Sequence, residues 1–515
     1  MKNRLITPGT VTAIYDIGCF IGAIAACYFG EKFGRKKTVL LGTTIMTVGA
    51  ILQISSYSTA QMIAGRIIGG IGNGLNTATA PVWQTETSQV AWRGKLVVIE
   101  LIMNIAGFSV SNWITYGMSY AGGAVSWRFP LAFQLIFIII LYATVPWLPE
   151  SPRWLIAHEY EDEAFSILAD LEDKDPNDSY ILAQHKEIVF TVQYERQNSP
   201  KWSELLRGKT GGKAGTSTIR RLILGAGTQF MQQFAGINVT SYYLPTVLIQ
   251  SVGLTEELAR LLAACNSVSY LLFSLIAIPN IERTGRRKML MYAAAGQCFC
   301  YLMITILLGL NQQPDIGVQK AKALGSASVT FFFIYYIFFG IGFQGVPWLY
   351  PTEINSLAMR TKGAAIGTAT NWMCNFIVVE ITPIGIQSLG WQFYIIWVVF
   401  NAAFVPIVYF FYPETAGRTL EDLDAYYRES PPLLVFRDKD VTSSKRPAKY
   451  IEAEEDNVRR ASSVDAGTFR RASKIAMPTQ RGMSRTSQST LRGEAHENEK
   501  TMDASSGVHI DNAKV

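Results

Sequence analysis

Long apolar runs of the length needed to cross a bilayer's hydrocarbon core alternate along this chain with short clusters that hold most of its charge. The runs fall at roughly 11–29, 38–56, 61–80, 96–117 and 130–148, then at 220–246, 259–280, 289–310, 324–348, 363–385 and 391–412. Eleven such segments cannot be packed into one water-soluble core. Composition agrees, because only 17% of the residues are charged and 49% are apolar, against ~25% charged in ordinary soluble domains. The pattern predicts an all-α polytopic membrane protein. All six cysteines lie inside the apolar runs, where small packing residues are the simplest reading. The four histidines all lie outside them, so neither a metal site nor a cofactor is expected. The net charge of +6 collects at helix ends and in the tail, where membrane topology accounts for it without a nucleic acid partner.

The chain repeats itself. Gly30-Glu31-Lys32-Phe33-Gly34-Arg35 returns as Ile281-Glu282-Arg283-Thr284-Gly285-Arg286. Glu86 with Arg93-Gly94 returns as Glu353 with Arg360 and Gly363, and Pro149-Glu150-Ser151 returns as Pro413-Glu414-Thr415. Three motifs recurring in order imply a duplicated half, an architecture found in many transporters. One span precedes the first Gly-Arg motif and two precede the second, so two six-helix halves are expected with the first helix absent. The expected divisions are 1–148, a linker at 149–219, 220–412 and a tail at 413–515. Apolar spacing in the linker predicts short helices at 160–172 and 179–197. Lys and Arg gather in alternate loops, which marks those loops and the tail as cytoplasmic.

Glu86, Glu150, Glu353 and Glu414 share helix ends with Arg35, Arg93, Arg153, Arg286, Arg360 and Arg418. Arginine–carboxylate pairs are directional and bidentate, so these groups are expected to form a cytoplasmic latch that holds one side closed. Asp16, Arg66, Glu100 and Glu380 are ionisable groups near membrane depth and are candidates for proton coupling. No nucleophile–base pair or phosphate loop points to an enzyme.

With Gly65-Arg66, Gln232-Gln233-x-x-Gly236-x-Asn238, Pro149-Glu150-Ser151-Pro152-Arg153-Trp154 and Pro413-Glu414-Thr415-x-Gly417-Arg418, residues 8–425 resemble the sugar porter family of the major facilitator superfamily. Among its members the sequence looks most like fungal hexose and disaccharide transporters. The resemblance implies that Gln232, Gln233, Asn238, Trp348, Asn371 and Trp372 line a central sugar site. The chemistry fits, since an amide offers a donor and an acceptor at one position and an aromatic face covers the apolar side of a sugar ring. Three positions depart from the family pattern: Leu101 stands where a Gln is usual, Gly340 where an acid is common, and Tyr270 where an Asn is expected.

The implied function is sugar transport by alternating access, proton-coupled, in the plasma membrane; the alternative is a non-transporting sugar receptor that signals through its tail. Residues 430–515 lack periodicity and are expected to be mostly disordered, so removal of 435–515 should spare transport. Arg459-Arg460-Ala461-Ser462 and Arg470-Arg471-Ala472-Ser473 resemble basophilic kinase sites at Ser462 and Ser473.

Overall fold

A computed structural model of the chain describes residues 8–89, 93–176, 178–198, 217–313, 315–356, 359–418, 420–429 and 431–452. Among these residues regular structure is helical throughout. Five helices precede the linker: α1 (Pro8–Phe33), α2 (Arg35–Ile54), α3 (Thr59–Glu86), α4 (Arg93–Met118) and α5 (Val125–Thr144). The linker carries α6 (Pro152–Ala157), α7 (Glu161–Glu172) and α8 (Ser179–Asn198). Of these, α6 escapes the periodicity argument because it is only 6 residues long. It starts where Ser151 accepts from the Trp154 amide and Pro152 presets the first turn.

The second half begins with a broken span, α9 (Thr218–Phe234), α10 (Ile237–Ser241) and α11 (Leu244–Gln250). Gly236 makes the break at φ 91°, a conformation that favours glycine. Next come α12 (Glu256–Leu275), α13 (Ala277–Thr284), α14 (Arg286–Asn311) and α15 (Val318–Phe338). A π-turn at Phe339–Phe343 leads into α16 (Val346–Ile354), followed by α17 (Arg360–Leu389) and α18 (Phe393–Phe411). Each of the eleven apolar runs falls on one of these helices or broken spans. Eight stretches among the described residues have both the length and the apolar character to cross a membrane. α3 and α9 are not among them; α9 runs for only 17 residues before Gly236 breaks the span.

The halves are held together differently. In the first, α1 and α2 both pack on α3. A Cβ at Gly18, Gly22 or Gly49 would collide with the backbone of α3, so the helices meet backbone to backbone. The second half is packed instead around buried rings, among them Tyr301, Tyr335, Tyr394 and Trp397. Two seams join the halves, α1 against α17 and α4 against α12.

The expected disordered tail needs correction over its first part. α19 (Leu420–Arg428), a turn at Val435–Arg437 and α20 (Lys439–Thr442) form a strap folded onto the second half. Val435, Val441, Tyr426 and Tyr427 are buried in the main core. Arg221 pairs with Asp424 at 2.6 Å and Arg446 with Asp422 at 2.7 Å. The strap's helices are only 9 and 4 residues long, too short for periodicity to show them; buried apolar side chains and ion pairs together hold it. Ser462 and Ser473 lie outside the described residues.

Candidate functional site

A cavity of about 950 Å³ lies between the halves. It reaches from the middle of the bundle to the face that carries α7 and α8, where Leu168 and Ile188 line it. All six residues singled out as sugar ligands line this cavity.

Its polar wall is a connected set of amides. Asn371 on α17 donates to Gln229 Oε1 at 2.6 Å and to Gln232 Oε1 at 2.8 Å. Gln229 in turn donates to the Pro347 carbonyl at 2.8 Å, and Gln232 to the Phe343 carbonyl at 2.7 Å. Asn238 donates to Gln233 Oε1 at 2.6 Å and to Asn375 Oδ1 at 2.5 Å. Buried amides must find partners, and here the pairings fix which edges remain for a ligand. Trp348 and Trp372 complete this region, and the Trp372 indole N–H is buried without a partner.

The facing wall is aromatic. Tyr270 on α12 packs its ring 4.6 Å from Tyr336 and 6.4 Å from Phe108, centroid to centroid. Its hydroxyl donates to Gln344 Oε1, just past the π-turn. Pro347 has no N–H to give the carbonyl four residues before it, and that Phe343 carbonyl is the one that Gln232 takes.

The four coupling candidates separate. Glu100 lines the cavity. Asp16 is buried and accepts from Asn375 at 3.4 Å, which ties α1 to the amide cluster across the halves. Its Oδ2 is buried without a partner, as is Arg66 Nε on α3. Glu380 accepts from Thr10 at 2.8 Å on the α1–α17 seam, away from the cavity lining. Nearby the Tyr243 hydroxyl donates to the Val379 carbonyl at 3.1 Å.

The latch residues form two cages of the same design, one in each half, where a single network had been expected. In the first, Arg35 forks onto both oxygens of Glu86 at 3.0 and 3.1 Å. Glu150 accepts from the backbone N–H groups of Arg35, Lys36 and Ser151, and Ser151 Oγ donates to Glu86 at 2.6 Å. In the second, Arg286 forks onto Glu353 at 3.2 and 2.8 Å. Glu414 accepts from the amides of Arg286, Arg287, Thr415 and Ala416, and Thr415 Oγ1 donates to Glu353 at 2.6 Å. Burial pushes the Glu414 carboxyl above its ordinary range, against the backbone N–H groups that favour its charge. Gly34 and Gly285 sit at φ 89° and 87°, and a Cβ on either would strike the caging carboxylate. Arg153 and Arg360 line the cavity mouth, and Arg418 grips the carbonyls of Glu414 and Ser443 at 2.8 and 3.2 Å. The Arg93 side chain lies outside the described residues.

Sequence reasoning misses Gln229, Asn375 and Gln344. The first two were open to it: Asn375 is one turn from Asn371, and Gln229 one turn from Gln232 and Gln233, so each shares a helix face with a chosen residue. Gln344 carried no such signal, since the π-turn decides its direction.

Two helical bundles around a central polar cavity make this a multi-pass membrane protein with the architecture of a solute carrier. The profile of the family "Sugar (and other) transporter" matches residues 4–427. The MFS-type transporter oryC of Aspergillus oryzae is 60% identical over 457 residues, covering 89% of this chain and 84% of that protein. The sugar transporter STL1 of Saccharomyces cerevisiae is 35% identical over 434 residues, covering 83% of this chain and 74% of the relative. The fold is similar to that of the proton:xylose symporter XylE bound to 6-bromo-6-deoxy-D-glucose, with a TM-score of 0.69 and 23% identity over 81% of this chain and 89% of XylE. The chain belongs to the sugar (and other) transporter family and has the major facilitator fold.

Proposed function

We propose that this protein carries a sugar, a hexose or a disaccharide, across the plasma membrane in symport with protons, its C-terminus on the cytoplasmic side. The observation that carries the reading is the continuous polar path from Gln233 through Asn238 and Asn375 to Asp16. It starts among amides suited to hydroxyl groups and ends at a buried carboxylate on the opposite half. A group that binds sugar and a group that can bind a proton therefore share Asn375. The two cages sit at equivalent helix ends of the two halves and would keep each half rigid while the halves rock about the cavity. The concentration of Lys and Arg on the face of the linker supports the orientation.

The test is uptake of labelled glucose and maltose by the full chain in liposomes, with and without an inward proton gradient. Gradient-stimulated uptake that Asp16→Asn abolishes, with sugar binding retained, is the expected result. Binding without uptake at any gradient would favour the receptor reading. Gln233→Ala, Asn238→Ala and Trp348→Ala should each weaken binding in titrations on the purified protein. The loss per hydrogen bond removed should be roughly 0.5–1.5 kcal/mol, and unchanged affinity in all three would refute the site.

A further inference from the structure

The two walls of the cavity are chemically unlike, and the difference bears on which sugar fits. The α9–α10–α17 wall presents amides, whereas the α12 wall presents rings. Tyr270 is 5% exposed and is braced by Tyr336, Phe339 and Phe108, so its ring has no room to turn away from a ligand. Its hydroxyl proton is already committed to Gln344, which leaves only the acceptor side of that oxygen at the rim of the ring. The π-turn adds no polarity here either: position 340 is glycine, and the Ser274 hydroxyl opposite it already donates to the Tyr270 carbonyl at 2.8 Å. A sugar hydroxyl pressed against the face of the Tyr270 ring would give up water without receiving a partner. An apolar substituent there would gain contact with the ring.

We propose that the Tyr270–Gln344 pair is a specificity determinant, selecting sugars or polyols that carry an apolar substituent, such as an aryl group, over the free hexose. This rests on the sugar-site reading above. A well-placed aromatic contact is worth roughly threefold to tenfold in affinity. The purified full chain, titrated by calorimetry, should therefore bind phenyl β-D-glucopyranoside about threefold to tenfold more tightly than D-glucose. Tyr270→Phe keeps the ring and should keep this preference. Tyr270→Asn, which replaces the ring by an amide, should bring the ratio to one or reverse it. Gln344→Ala tests the same pair without touching the core ring: it releases the Tyr270 hydroxyl for a substrate and should raise glucose affinity, narrowing the ratio. Equal affinity for both probes in the unsubstituted protein overturns the assignment while the sugar site stands. A ratio moved by neither Tyr270→Asn nor Gln344→Ala does the same. Binding of neither probe to the folded protein overturns the sugar-site reading along with it.

Discussion

The cage around Arg35 and the cage around Arg286 are built from the same parts, yet they are closed off by different neighbours. Behind the first lies linker helix α6, capped by Ser151 and held by a bond from the Trp154 indole to the Glu31 carbonyl at 2.8 Å. Behind the second lies the C-terminal strap, whose Val441 carbonyl takes the Glu414 amide at 3.0 Å. Glu150 accepts from three backbone N–H groups and Glu414 from four, and Glu414 is fully buried. Duplication thus preserved the wiring and left each copy to acquire its own cover. The second cage should depend on its cover more heavily, because burial has removed water as a substitute partner.

Removing the cover is the severest test of that difference. A chain ending at residue 430 exposes the sites of Val435 and Val441, each worth roughly 1.5–3 kcal/mol when fully buried, and strips Glu414 and Arg418 of strap carbonyls. It should be recovered from membranes in much lower amount, whereas a chain ending at 452 should match the full length in abundance and uptake. The expectation that truncation before 435 spares transport is replaced by this one. Next in size is Glu414→Ala, which leaves four buried amides unpaired and should lower the melting temperature in detergent by more than Glu150→Ala. A loss on the order of 3 kcal/mol is expected when one member of a buried charged network is removed. Equal losses at the two positions would show that the covers are interchangeable. Smaller still is Arg446→Ala: its partner Asp422 is buried but Arg446 is partly exposed, so a loss of about 1 kcal/mol is expected in thermal melts. The smallest effect is in pH. A carboxyl raised above its unfolded value contributes stability that is present at low pH and lost as pH climbs through the raised value. The melting temperature of the wild type relative to Glu414→Gln should therefore fall as pH rises; a pH-independent difference would contradict the burial argument.

The runs of apolar residues made the spans legible, because a helix in lipid must be apolar wherever it meets chains of fat. Glu86, Glu150, Glu353 and Glu414 were legible as a set through the repeat. Their pairing within each half was not, since spacing along the chain does not say which helix ends are neighbours. The site was half legible. Gln233 and Asn238 stood out as amides in an apolar span, while Asn375, which joins them to Asp16, looked like one more polar residue on α17. The strap was hidden because its helices are only 9 and 4 residues long, and because Arg446–Asp422 and Arg221–Asp424, which help to hold it, read in a sequence like solvated charges.

The backbone-to-backbone contact of α1 and α2 with α3 has a mechanical consequence. Side chains between two helices act as soft spacers, since rotamer changes absorb small displacements before any force is passed on. At Gly18, Gly22, Gly49, Gly70 and Gly74 there is nothing of that kind to yield. The three helices must therefore shift as a single stiff beam, and a push on Asp16 from the α17 side is delivered to Arg35 at the far end of the beam with little slack lost between.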